Sequence, residues 1–310
     1  PCLAMTDRKD REVERTIAAH RQHEGAGFVV RRPFPGVALA DADPFLLLDE
    51  MGPVDYPPGQ AVGAPDHPHR GFETVTYMID GAMEHRDSLG NHGRLAPGSV
   101  QWMTAGRGII HSEMPKQERG PMWGYQLWVN LPAREKMRKP RYQDLAPERI
   151  TMTTVGDASA RLVAGEIGSA KGPVVDIATA PLMVDLALKK GGLELPIPAS
   201  YNAFVYVIEG AARFGSSRPV PRGQLVVLGP GDVLRETFFA PEVPIARSTR
   251  RVPEAPAKPK PDHYKVICIS LYTDDLANLD AVVDELKRRG HTKASRSSVL
   301  RAAMQQIDLD

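Results

Sequence analysis

The chain has 310 residues, 42% of them apolar and 25% charged, with a net charge of +1. Such a length suits two or three domains of ordinary globular composition. No apolar run approaches the ~20 residues that cross a bilayer, so no membrane partner is expected.

The N-terminus, PCLAMTDRKDREVERT, has no apolar core followed by a small-residue cleavage site. The two cysteines, Cys2 and Cys268, stand far apart. Two such residues do not staple a secreted fold, and a cytoplasmic location is expected. Downstream, short apolar runs recur between turn signals: FLLLDE, ETVTYMID, SVQWMTA, YQLWVNL, LMVDLAL, AFVYVIEG and QLVVLG. Their β-branched and aromatic content, with 28 prolines and 27 glycines along the chain, predicts an all-β barrel or sandwich. The pattern occurs twice. ETVTYMIDGAMEH with LAPGSVQWM, and NAFVYVIEGAARF with QLVVLGPGDVL, each give strand, turn, strand and a Pro-Gly or Gly-Pro-Gly turn. Two similar barrels in tandem are therefore expected, over residues 1–145 and 146–248.

Residues 249–263, TRRVPEAPAKPKPDH, read as an extended Pro/basic linker. Residues 264–310 form a separate α/β module. In KVICISLY, Ile267, Ile269 and Leu271 alternate onto one face of a predicted strand. Thr273 offers an N-cap ahead of Asp274 and Asp275. Leu276, Leu279, Val282, Val283 and Leu286 give an apolar helical stripe, with Gly290 as a stop. A second helix is predicted from about Ser295, with Val299, Leu300, Ala303 and Ile307 inward. A strand alone in its module must pair with a second copy, so a homodimer is expected.

The chemistry concentrates in two short motifs. His67 and His69 lie in PDHPHRGFE, and His111 and Glu113 in GIIHSEMP. Residues two apart on extended chain point to one side. One His-x-His pair by itself reads as surface histidines on a loop; two pairs separated by a hairpin and a Pro-Gly turn read as a site. Three imidazoles and a carboxylate form a mixed N/O donor set suited to Fe, Mn, Co, Ni, Cu or Zn, and four protein ligands leave a position open on an octahedral ion. His85 and His92, flanking the hairpin EHRDSLGNHG, read as ordinary exposed histidines, with His85 alternatively supporting the ligands from behind. The Met and Trp residues of VQWMTAG and MWGYQLW read as barrel core, and Cys268 as a small strand residue.

DPFLLLDEMGPVDYPPG, APDHPHRGFETVTYMIDGAMEHRDSLGN, PGSVQWMTAGRGIIHSEMP and YQLWVNLPAREKMRKPRYQ resemble the pirin family of bicupins over roughly residues 10–240. The resemblance implies tandem double-stranded β-helix barrels with iron, as Fe2+ or Fe3+, on His67, His69, His111 and Glu113 of the first; another divalent transition metal is the alternative. The second barrel has Tyr201 and Asn202 where a His-x-His pair would be needed, and is expected to be metal-free. After QLVVLGPGDVLRE the sequence TFFAPEVPIARSTRRVPEAP departs from the family pattern. The second cupin is thus open to truncation, with an exposed sheet edge unless something covers it.

VICISLYTDDLANLDAVVDELKRRG and SRSSVLRAAM resemble ribbon-helix-helix proteins of the CopG/Arc type. That resemblance implies a paired ribbon in the DNA major groove, with Val266, Cys268 and Ser270 outward. Ser295, Arg296 and Ser297 would hold a phosphate, and Lys287, Arg288, Arg289, Lys293 and Arg301 would supply charge. Val, Cys and Ser lack bidentate base-reading donors, so a module that only dimerises is the competing reading. Two functions follow. The pirin resemblance implies a quercetinase-like dioxygenase that uses O2 on a small aromatic, flavonol-like substrate, with Glu113 as candidate base. The alternative is a metal-dependent, redox-sensing transcriptional regulator that binds DNA through the C-terminal dimer.

Overall fold

The strands alternate as the sequence requires. A computed structural model describes residues 9–25, 27–36, 42–57, 60–116, 120–239 and 273–289. In chain order the strands are β1 (Val13–Ala18), β2 (His20–Glu24), β3 (Phe28–Phe34), β4 (Phe45–Asp55), β5 (Ala64–His69), β6 (Phe72–Asp80), β7 (Met83–Asp87), β8 (His92–Leu95), β9 (Val100–Thr104), β10 (Ile109–Pro115), β11 (Pro121–Asn130) and β12 (Arg141–Leu145). They continue with β13 (Thr151–Val155), β14 (Ala158–Ala164), β15 (Glu166–Ile167), β16 (Ala170–Lys171), β17 (Met183–Ala187), β18 (Gly192–Pro196), β19 (Ala203–Tyr206), β20 (Ala211–Phe214), β21 (Val220–Pro221), β22 (Gln224–Leu228) and β23 (Val233–Phe239). One helix, α1 (Thr273–Arg288), follows. The chain divides into two units, Pro1–Val266 and Ile267–Asp310.

Each expected apolar run of the two barrels lies on a strand or strand edge. The first barrel faces a seven-stranded sheet, β12-β9-β6-β11-β4-β3-β2, with a four-stranded sheet, β5-β10-β7-β8. The second is built from β18-β23-β20-β21, β13-β14-β17 and β1-β22-β19. The last of these crosses the division expected at residue 145. β1 pairs antiparallel with β22, Thr16 opposite Val226, and Arg11 donates to the carbonyls of Gly229 (3.0 Å) and Pro198 (2.7 Å). The N-terminal segment thus covers the β22 edge. β23, between β18 and β20, supplies a closing strand through Phe239.

Strand β6 shows how alternation distributes the core. Val75 and Tyr77 point from the seven-stranded sheet toward the second barrel. There they join Trp102, Leu127 and Val129 with Leu225, and Phe204 and Val227 pack against the cluster. Thr74 and Thr76 alternate to the opposite face, inside the first barrel, and both are buried. Both faces are covered, which explains a strand buried almost end to end. Glu50, 1% exposed, sits at the contact between the barrels. It accepts from Tyr206 (2.8 Å), Trp123 (3.1 Å), Tyr125 (3.3 Å) and Arg222 (3.3 Å). The second barrel's own interior is aliphatic and aromatic, including Leu193, Leu195, Phe214, Val226 and Leu234.

In the other unit α1 begins at Thr273, where the N-cap pattern places it. Val283 is buried, whereas Val282, expected on the inward stripe, is 45% exposed. Arg288 and Arg289 both pair with Glu285. No described helix is long and apolar enough to cross a membrane. The predicted strand from Lys265 and second helix from Ser295 lie outside the described residues. With them lie Val266, Cys268, Ser270, Ser295, Arg296, Ser297 and the dimer expected from that strand.

Replacing Tyr206 by Phe removes one donor from Glu50 and keeps the ring. The loss expected in chemical denaturation is about 1–3 kcal/mol, because the buried acceptor loses a partner. An unchanged midpoint would show that the Glu50 cluster does not hold the barrels together.

Candidate metal centre

Strand β10 is the spine of the site. It lies between β5 and β7, with His111 opposite His67, Ile109 opposite His69 and Glu113 opposite His85. The β5 register shifts between His111 and Glu113, a bulge of the kind that re-aims side chains. His67, His69 and His111 bring one ring nitrogen each to within 4.8 Å of one another, the one such His-containing group among the described residues. Ring centroids are 4.6 Å apart for His67–His69 and His67–His111, and 4.9 Å for His69–His111.

The donors fit a cation. The Nδ1 of His67 lies 2.7 Å from the Pro65 carbonyl, which can only accept, so Nδ1 carries the hydrogen and Nε2 of the neutral ring presents its lone pair. That Nε2 is 3.1 Å from Nε2 of His111. Two ligands ~2.1 Å from one ion and at right angles lie about 3.0 Å apart. Burial, followed by the neighbouring histidines, pushes His69 down to about 2. Burial pushes His111 down to about 4, with Glu113 opposing. Both rings are therefore neutral at physiological pH, the form a metal needs. The Nδ1 atoms of His69 and His111 are buried without a protein partner. His67 is the partly exposed member of the triad, so the site opens on its side.

Glu113 shares the β10 face with His111 and is buried, but it stands outside the three-histidine group. Thr76 donates to its Oε1 (3.0 Å) and Gln126 to its Oε2 (2.7 Å). Gln126 in turn accepts from Trp128 (3.2 Å), whose ring meets His69 edge-on at 5.2 Å. Phe72 packs on both, 5.1 Å from His69 and 4.7 Å from Trp128. Thr76, Gln126 and Trp128 did not register as site residues in the sequence. The available signal was a polar residue inside an apolar strand, as in YQLWV and ETVTY.

His85 corrects its expectation as an exposed histidine: it is 2% exposed. It stacks on Tyr142 at 5.0 Å and 14° and lies 2.5 Å from the Gln101 amide, which also donates to Asp144 (2.9 Å). A side chain at Gly93, its cross-strand partner, would collide with the His85 ring. The missing Cβ is what lets the imidazole lie inward. His92 is exposed beside Glu84, as expected. Trp102 and Met103 are fully buried core.

The depressed histidines make the metal-free protein acid-sensitive. Below pH 6.5 the unfolded chain binds protons that folded His69 and His111 refuse, so stability falls as pH drops from 6.5 toward about 4. Each histidine contributes a slope of at most about 1.4 kcal/mol per pH unit. Thermal melts of metal-free wild type and His69→Gln between pH 7 and 5 should show the shallower decline in the variant; parallel declines would contradict the burial of that imidazole.

The Pirin family model matches residues 27–129, the stretch that contains the triad and Glu113. A pirin-like protein of Solanum lycopersicum is 44% identical over 229 residues, covering 73% of this chain and 76% of its own. Pirin of Rattus norvegicus is 40% identical over 230 residues, covering 73% and 77%. A crystal structure of quercetin 2,3-dioxygenase from Acinetobacter baumannii superposes with a TM-score of 0.69 at 30% identity, over 74% of this chain and 84% of that one. With its two barrels and a relative this similar over most of both lengths, the chain belongs to the pirin family.

Proposed function

We propose that the first barrel is the centre of an iron-dependent dioxygenase that takes a flavonol-like aromatic substrate and O2. The observation that carries this reading is the triad itself: three converging imidazoles in a barrel interior, open on the His67 side. Glu113, on the same strand face, completes the ligand set. The likeness to the Acinetobacter quercetin 2,3-dioxygenase supports the substrate class.

A bound transition-metal ion supplies Lewis acidity toward a substrate oxygen and a redox centre for O2 chemistry. The protein's own residues supply the rest. His67, His69 and His111 would bind through one ring nitrogen each. Glu113 would act as the base for a ring hydroxyl. Trp128, packed against His69 and partly exposed, offers a ring face for a flat substrate. The residues of the DNA-linked alternative, apart from Lys287, Arg288 and Arg289, lie outside the described residues.

Elemental analysis of anaerobically purified protein should give about one iron per chain, and oxygen uptake should follow addition of quercetin. His67→Ala should lose both. Bound iron without uptake would remove the dioxygenase reading, and full metal content in His67→Ala would remove the site assignment.

A further inference from the structure

The hydrogen bonds around Glu113 run in one direction. The indole N–H of Trp128 can only donate, and it meets Oε1 of Gln126 at 3.2 Å. That contact fixes which end of the amide is oxygen. The NH2 end is thereby aimed at Glu113 Oε2, 2.7 Å away. Thr76 takes the other carboxylate oxygen at 3.0 Å. These donors lie on β6 and β11, in the sheet opposite β10, so they reach the carboxylate from across the barrel. The Trp128 ring also meets His69 at 5.2 Å. One residue therefore touches a histidine of the triad and orients the amide that holds the carboxylate.

We infer that Gln126, oriented by Trp128 and seconded by Thr76, is the positioning residue that sets how Glu113 addresses the metal. The inference rests on the metal-centre reading above and deepens it. Glu113 has no cationic partner among the described ion pairs; its orientation depends on neutral donors alone. Neutral donors fix the direction of a carboxylate and leave its charge available to an ion. Without the amide, Glu113 retains only Thr76 and turns within the barrel, and the ligand field changes. Without the indole N–H, the amide can invert and present oxygen to oxygen.

Co2+ is the probe, because its visible absorption reports ligand number and geometry independently of turnover. The full-length protein is stripped of metal and titrated. Gln126→Leu should bind Co2+ about 10–100-fold more weakly than wild type, with altered band positions. Trp128→Phe, which keeps the ring against His69, should move the spectrum in the same direction by a smaller amount. Thr76→Val should weaken binding and Thr76→Ser should restore it, which separates hydroxyl donation from packing. Folding of each variant is verified by its thermal melt. If Gln126→Leu and Trp128→Phe fold and bind with wild-type affinity and spectrum while His67→Ala loses Co2+, the positioning role is wrong and the metal centre stands. If His67→Ala binds Co2+ like wild type, both fall.

Discussion

The register of β10 is the constraint on which the site depends. This strand lies between β5 and β7, and its pairing sets His111 against His67 and Glu113 against His85. Side chains on a strand alternate with period two, so a slip of one residue would turn His111 and Glu113 outward and bring Ile110 and Ser112 in. Ile110 is 49% exposed and Ile109 is 3% exposed, which is the alternation expected of the observed register. Burial of Ile109 on one sheet face thus enforces the direction of the histidine two positions on. The burial of Ile109 and the direction of His111 are set by the same ladder.

The second barrel explains how the first tolerates a polar interior. Buried polar groups are costly unless they are paired. The first barrel contains Thr76, Gln101, Gln126, His85, the histidine triad and a bidentate Arg32–Asp49 pair at 2.7 and 2.6 Å. Some of its large apolar side chains, such as Met78 and Met103, form buried clusters of their own, while Val75, Trp102 and Leu127 lie on the outer face of the seven-stranded sheet. They are buried there by docking of the second barrel. Part of the first barrel's apolar burial is thus obtained between the barrels. The second barrel keeps an aliphatic interior and supplies Tyr206 and Arg222 to Glu50.

Much of this was legible in the sequence, for identifiable reasons. The runs around Val75, Trp102, Leu127 and Val226 are strand-like by composition, and they became β6, β9, β11 and β22. The two His/Glu motifs bring the three histidines together because period-two spacing survives into three dimensions. What stayed hidden was non-local. Nothing near Val13–Ala18 announces that this strand completes the second barrel, because its partner lies more than 200 residues away. His85 looked exposed because its neighbours Arg86 and Asp87 are polar; Gly93 opposite it and Tyr142 above it make the buried place. Gln126 and Trp128 looked like ordinary strand residues because their role depends on β10, across the barrel.

The buried carboxylates of the first barrel show why Glu113 differs from its neighbours. Asp49 is gripped by both arms of Arg32. Glu50 has Arg222 and Arg31 beside it as well as its neutral donors. Glu73 takes one hydroxyl, from Thr104 at 2.6 Å, and burial raises its pKa. Glu113 has neither a guanidinium nor a lone donor; it has one neutral donor on each oxygen. A guanidinium would compete with an ion for the negative charge, and a single donor would leave the group free to turn. Two neutral donors fix the direction and leave the charge unspent. Among the four buried acids of this barrel, Asp49, Glu50, Glu73 and Glu113, that combination belongs to the one that shares a strand face with His111.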